Sequence, residues 1–151
     1  MFLKGKRGFT IIELLIVMLV IAILLGIFIP RIRGMQDEAN ITKARAELRT
    51  VETALVSFYM HQTPNSYPAT STGVAGASLV AQTPNILNVG LADPFRTSRE
   101  YDYIRSANGN FYVIYSVGPD GAAGVGGINN TGTITGTIGD DVCRTNGGST
   151  C

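Results

Sequence analysis

Three aspartates, Asp120, Asp140 and Asp141, and a single histidine, His61, are the best material this 151-residue chain offers for hydrolytic chemistry. Their arrangement argues against it. Neighbouring side chains in an extended chain point to opposite sides, so Asp140 and Asp141 do not make a paired-carboxylate site. His61 falls at the end of a predicted helix, where a surface role is commoner. The glycine-rich stretch between Asp120 and Asp140 lacks the Lys-Ser/Thr ending of a phosphate loop. A membrane-tethered hydrolase is therefore a remote alternative, for want of a nucleophile, a base and an orienting group in one constellation. Taken alone, the acids read as a solvated turn in which Asp side chains cap the backbone.

Two other groups carry chemistry of a structural kind. Cys143 and Cys151 are the only cysteines and lie far from His61, which does not suggest a metal cluster. Separated by a short polar loop and placed behind a membrane segment, they are expected to form one disulfide in an oxidising compartment. Such a staple contributes about 2 kcal/mol and ties down a tail that would otherwise fray. Glu13 is the odd residue in an apolar run. A carboxylate inside an apolar membrane helix costs about 2.5–3.5 kcal/mol at the bilayer centre, so it calls for a partner.

The elements that must position these groups follow from periodicity. Residues 9–29, FTIIELLIVMLVIAILLGIFI, are nearly all apolar, and as a helix they span roughly 30 Å, the thickness of a bilayer core. Lys4, Lys6 and Arg7 precede the run, so the positive-inside bias leaves the N-terminus in the cytoplasm and everything after Pro30 across the membrane. A secretory signal peptide is the rival reading. The run is longer than a signal's apolar core and has no small-residue cleavage site at its end, which favours a retained helix. Pro30, one turn after Gly26, marks a place where the helix can bend or locally melt.

Beyond Pro30, residues 31–61 read as an amphipathic helix, with Ile41, Ala44, Leu48, Val51, Leu55 and Phe58 three and four apart. The opposite face mixes Arg31, Arg33, Lys43, Arg45 and Arg49 with Asp37, Glu38, Glu47 and Glu52. A free coiled coil would need more sustained heptads than this stripe offers. Its cover is expected from two β-rich runs, 101–105 and 110–117, joined at Asn108-Gly109 as a hairpin, with a weak third strand in 133–138. Between helix and strands, residues 62–92 contain no charged residue and three prolines. They read as loop, with a short helical turn at 77–81. The predicted fold class is α+β: a long N-terminal helix, transmembrane then amphipathic, packed on a small antiparallel sheet. With a net charge of only +1 and 15% charged residues, nucleic acid is not expected as a primary partner.

The hexapeptide Gly8-Phe9-Thr10-Ile11-Ile12-Glu13, behind a short basic leader and ahead of the apolar run, resembles the processing signature of type IV pilins and type II secretion pseudopilins. The resemblance implies a leader of residues 1–8, a cut between Gly8 and Phe9 by a prepilin peptidase, and methylation of the new N-terminus. It further implies a filament-core helix over 9–30, an amphipathic half over 31–61 and a head over 62–151. Glu13 and Pro30 become assembly residues, Glu13 meeting the α-amine of a neighbouring subunit. That amine is largely protonated near neutrality. Asp93-Pro94-Phe95 and the pattern Ser116-Val117-Gly118-Pro119-Asp120-Gly121 look most like the major pseudopilin. There the resemblance implies a calcium ion, for which Asp120, Asp140 and Asp141 are the candidate ligands together with backbone carbonyls.

The implied role is a structural, non-enzymatic one: a subunit of a type II secretion pseudopilus that drives protein export. The alternative is a type IV pilus subunit forming a surface fibre for adhesion, motility or DNA uptake, which the C-terminal cysteine pair also resembles. The implied partners are identical subunits in a helical filament, the prepilin peptidase, an inner-membrane platform with its assembly ATPase, and the lipid bilayer. The implied location is the bacterial inner membrane, single-pass with a periplasmic head, and then a periplasmic or cell-surface filament.

Overall fold

The helix α1 runs without interruption from Ile11 to His61, 51 residues, in the computed structural model, which describes residues 8–69, 91–96 and 98–150. Pro30 lies inside it, and the helix continues through both Gly26 and Pro30. The chain divides into two compact units, Met1–Glu38 and Ala39–Cys151.

In the first unit α1 begins with a capping box. The Thr10 hydroxyl accepts the Glu13 N–H (3.3 Å) and donates to Glu13 Oε2 (3.0 Å), which also accepts the Thr10 N–H (3.0 Å). Two backbone donors that a helix start leaves orphaned are thereby satisfied. From Phe9 to Met35 every large apolar side chain is at least 48% exposed. The helix is long and apolar enough to cross a membrane, matching the sequence expectation.

The second unit has three layers. The last turns of α1 bury Ala44, Leu48, Val51, Ala54, Leu55 and Phe58. This is the predicted stripe with Ala54 added and Ile41 left half-buried at its edge. The stripe packs against the central sheet, built from β1 (Asp102–Arg105), β2 (Tyr112–Ser116) and β5 (Val142–Thr145), in the antiparallel order β1-β2-β5. The outer layer pairs β3 (Val125–Ile128) with β4 (Ile134–Gly136), with a bulge between Val125 and Gly127.

Strand alternation explains the layering. On β2, Tyr112 and Ile114 face the helix, where they join Leu48, Val51, Leu55, Tyr67, Tyr101 and Tyr103. Val113, Tyr115 and Val117 face the other way, against Val125, Ile128 and Cys143. A strand buried on both faces needs no polar side, and all five residues of β2 are buried. Burial pushes the phenols of Tyr67, Tyr101, Tyr103, Tyr112 and Tyr115 up from their ordinary value.

Three strand expectations are corrected. The hairpin forms where Asn108-Gly109 stands, but its strands stop at Arg105 and restart at Tyr112, so the connection is longer than a two-residue turn. Gly109 takes φ +75° and its N–H donates to the Ser106 carbonyl, while Asn108 Oδ1 accepts from Asn110 N–H and the Ser106 hydroxyl. The weak strand in 133–138 exists as β4, but it pairs only with β3. The third strand of the central sheet is β5, in a tail expected to need only a staple. The loop proposed over 62–92 and the turn at 77–81 fall mostly or wholly outside the described residues.

The Asp93-Pro94-Phe95 turn is anchored to this sheet. Asp93 is 3% exposed. Its Oδ1 accepts from Phe95 N–H (3.0 Å) and the Ser116 hydroxyl (2.7 Å), and its Oδ2 from Val117 N–H (3.3 Å). A buried carboxylate satisfied three times holds the end of β2 and the start of the acidic loop at one level.

Candidate functional site

Two places hold the residues singled out by sequence. The first is the start of α1, with Gly8, Phe9 and Glu13. Phe9 is 83% exposed, and a Cβ built on Gly8 would meet nothing within 4 Å. The fold itself makes no demand for glycine at position 8. Any such demand comes from outside the chain. Glu13, whose partner was sought elsewhere, is occupied locally by Thr10 through the capping box.

The second place is the loop between Val117 and Val142. It opens with a turn in which Gly121 N–H donates to the Gly118 carbonyl (3.2 Å). Gly118 takes φ +69°, and a Cβ there would lie 2.3 Å from the Asp140 carbonyl oxygen. Only glycine allows that approach. It brings both ends of the loop together: Asp140 Oδ2 accepts the Asp120 N–H (3.0 Å), and Asp120 Oδ1 accepts the Ala122 N–H (2.8 Å).

The adjacent acids do part company, as their positions in the chain imply. Asp140 is exposed, whereas Asp141 is 8% exposed and turned inward. Its Oδ2 accepts the N–H groups of Gly124 (2.8 Å) and Val125 (2.9 Å), pinning the start of β3. Its Oδ1 is buried without a hydrogen-bond partner. Desolvation raises the Asp141 carboxyl above the usual aspartate value; the two amides pull it down, and the charges of Asp140 and Asp120 push it up again.

An orphaned, buried carboxylate oxygen beside two further acids fits a hard cation. Among the described residues, no group of three or more His, Cys, Asp or Glu side chains is placed to hold a metal by itself. Backbone carbonyls must therefore supply much of any oxygen shell here, as Ca²⁺ sites commonly allow.

His61 takes no part in this region; its Nδ1 sits 2.7 Å from the Ser57 carbonyl one turn back, as a C-terminal cap. Cys143 is buried on β5, and among the described residues no cysteine is free; Cys151 lies outside them. Sequence reading missed the groove of about 540 Å³ beside the acids, lined by Ile41 and Arg45 of α1, Pro119, Asp140 and Arg144. The signal that could have found it was Val142-Cys143-Arg144-Thr145 read as a strand, since β5 forms one wall.

Comparison with known proteins agrees with this architecture. The family described as "Type II secretion system (T2SS), protein G" matches residues 31–134, and the "Prokaryotic N-terminal methylation motif" matches residues 3–29. Type II secretion system core protein G of Escherichia coli (strain K12) is 27% identical over 128 residues, covering 79% of this chain and 86% of that protein. The core protein G of Pseudomonas aeruginosa is 26% identical, covering 80% and 89%, and that of Vibrio cholerae is 25% identical, covering 81% and 86%. No solved structure gave a significant match. With the exposed apolar helix, the three-layered head and the acidic loop in place, the chain belongs to the type II secretion system protein G family, the pseudopilins.

Proposed function

We propose that this chain is a structural, non-enzymatic subunit of a type II secretion pseudopilus, built to leave the bilayer and pack with copies of itself. One observation carries the reading: the large apolar side chains from Phe9 to Met35 are at least 48% exposed, without cover among the described residues. Lipid covers them first, and the equivalent helices of neighbouring subunits cover them afterwards, so burial persists throughout.

The sequence of events follows from the residues. The head crosses to the periplasm, and residues 1–8 stay cytoplasmic. Prepilin peptidase cuts between Gly8 and Phe9, the bare glycine letting the protease approach the backbone. The cut creates a cationic amine at Phe9, which meets the carboxylate of Glu13 in a neighbouring copy; an ion left unpaired in hydrocarbon is penalised, so the pair sets register. Glu13 must then loosen its hold on Thr10. An inner-membrane platform and a cytoplasmic ATPase supply the lift, and the growing fibre pushes exported proteins outward.

The head is held by two further devices. Asp141, Asp120 and Asp140, with carbonyls of the glycine turns, would hold Ca²⁺, and the ion supplies positive charge to a loop whose carboxylates otherwise repel one another. A Cys143–Cys151 disulfide fastens the tail to β5.

N-terminal sequencing of the protein isolated from cells tests the core of this reading, with Phe9 expected as the first residue. Glu13→Ala is expected to be cleaved normally and to yield few or no fibres by electron microscopy. Cleaved protein forming wild-type numbers of fibres from that variant would defeat the pairing.

A further inference from the structure

Asp93 lies outside the acidic loop and grips its first residue. The carboxylate is buried, and the two donors that reach it from beyond its own turn are the Ser116 hydroxyl (2.7 Å, to Oδ1) and Val117 N–H (3.3 Å, to Oδ2). Ser116 is the last residue of β2 and fully buried, and Val117 is followed directly by Gly118. Within the pattern Ser116–Gly121 the serine hydroxyl is thus directed at Asp93. A carboxylate buried this deeply holds on to its donors, because losing one leaves a desolvated oxygen without compensation.

The carboxylate is itself fixed from behind. Asp93 N–H donates to the Arg99 carbonyl (2.9 Å), the Asp93 carbonyl accepts Arg96 N–H (3.1 Å), and Ala92 bridges Glu100, so the chain closes on itself around Asp93. Arg96 pairs with Asp102 of β1. The turn is therefore tied to β1 on one side and to the end of β2 on the other.

From Val117 the geometry passes quickly to the acids. Only Gly118 and Pro119 separate it from Asp120; Pro119 has a fixed φ, and Gly118 lies too close to the Asp140 carbonyl for any Cβ. Asp120 N–H then donates to Asp140 Oδ2. Where Val117 is held decides where the two ends of the loop meet.

We propose that Asp93, acting through Ser116 and Val117, is a positioning residue for the cation loop: it holds no ion itself and sets the affinity of Asp120, Asp140 and Asp141 for Ca²⁺. This role rests on the calcium reading above and brings in a residue outside the loop. A hard cation needs six to eight oxygens at once, here from both ends of the loop, so freeing one end adds an ordering cost to every binding event. Partners that orient metal-binding carboxylates from outside govern affinity by roughly 10- to 100-fold.

Calcium titrated calorimetrically into chelator-treated, detergent-solubilised full-length protein tests it. Ser116→Ala alters no charge and deletes one donor, and its Kd for Ca²⁺ is expected to rise about tenfold. Asp93→Asn cannot accept from all three donors, since one oxygen becomes an NH₂ group, and its Kd should rise at least as far. Tyr101→Phe loses a side-chain hydrogen bond elsewhere in the head, and its Kd should match the wild type, which separates placement from a general loss of stability. The calcium-induced rise in thermal midpoint should shrink in Ser116→Ala and stay whole in Tyr101→Phe. If Asp93→Asn does not fold, Ser116→Ala decides alone. Wild-type affinity in Ser116→Ala, or an equal loss in Tyr101→Phe, overturns the positioning role while the calcium site stands. A wild-type chain that takes up no calcium overturns the calcium reading and this role with it.

Discussion

The two halves of α1 share a backbone and differ in what covers them. Up to Met35 the large apolar side chains stand bare around the whole circumference, and from Ala44 to Phe58 a narrow stripe is buried against tyrosines and β2. The first half therefore owes its environment to lipid or to other copies, and the second to its own chain. A uniformly apolar helix suits exchange between alike surroundings, because any side can face any neighbour. An amphipathic helix has one correct seating. Stability and assembly are thus written in different stretches of the same helix, and substitutions should separate them.

The largest expected effect lies in the covered half. Leu48 is fully buried, and Leu48→Ala should lower the stability of the head by about 2–5 kcal/mol, read as the denaturant midpoint of detergent-solubilised full-length protein. Leu19→Ala in the bare half should leave that midpoint unmoved. A shared shift would erase the distinction between the halves.

Calcium comes next. Chelation should lower the thermal midpoint of the wild-type head by several degrees, since an ion present at about 100 times its Kd adds roughly 2.7 kcal/mol. In Asp141→Asn the amide oxygen still accepts from Gly124 and Val125, and the charge is gone; its midpoint should respond to chelator far less. A chelator-insensitive wild-type protein would remove the ion from the account.

The smallest effect sharpens where the covered half begins. The Tyr101 hydroxyl donates to Glu47 Oε2 across the seam between α1 and the sheet. Tyr101→Phe should cost about 1–2 kcal/mol, a hydrogen bond to a charged acceptor at a partly exposed edge, and should not alter fibre number. Loss of fibres without loss of stability would mean that Glu47 serves a neighbour instead.

Both helix patterns were legible because one period dominates each stretch: unbroken apolarity up to Ile29, then three-four spacing from Ala44 to Phe58. The Asn108-Gly109 hairpin was legible from turn chemistry, though its strands are shorter, because Ser106, Asn108 and Asn110 spend their polar groups on the connection. Apart from the weak strand in 133–138, which exists as β4, the stretch from 118 to 145 was not. Val125-Gly126-Gly127-Ile128 is half glycine, and its strand is defined by Asp141 gripping the amides of Gly124 and Val125 at its start and by a bulge, both long-range. Val142-Cys143-Arg144-Thr145 is a strand only because β2 offers it an edge. In the acidic loop the residue types were readable, but the inward turn of Asp141 and the outward turn of Asp140 depend on Gly118 lying against the Asp140 carbonyl.

The order of the central sheet has a consequence for biogenesis. β2 lies between β1, made shortly before it, and β5, which is made only after the acidic loop and the β3–β4 pair. Until residue 145 has emerged, the middle strand presents an open edge that any other extended peptide could occupy. The head therefore matures only once β5 has been made, and a chain stopped short of it is the species that most needs a chaperone's shelter.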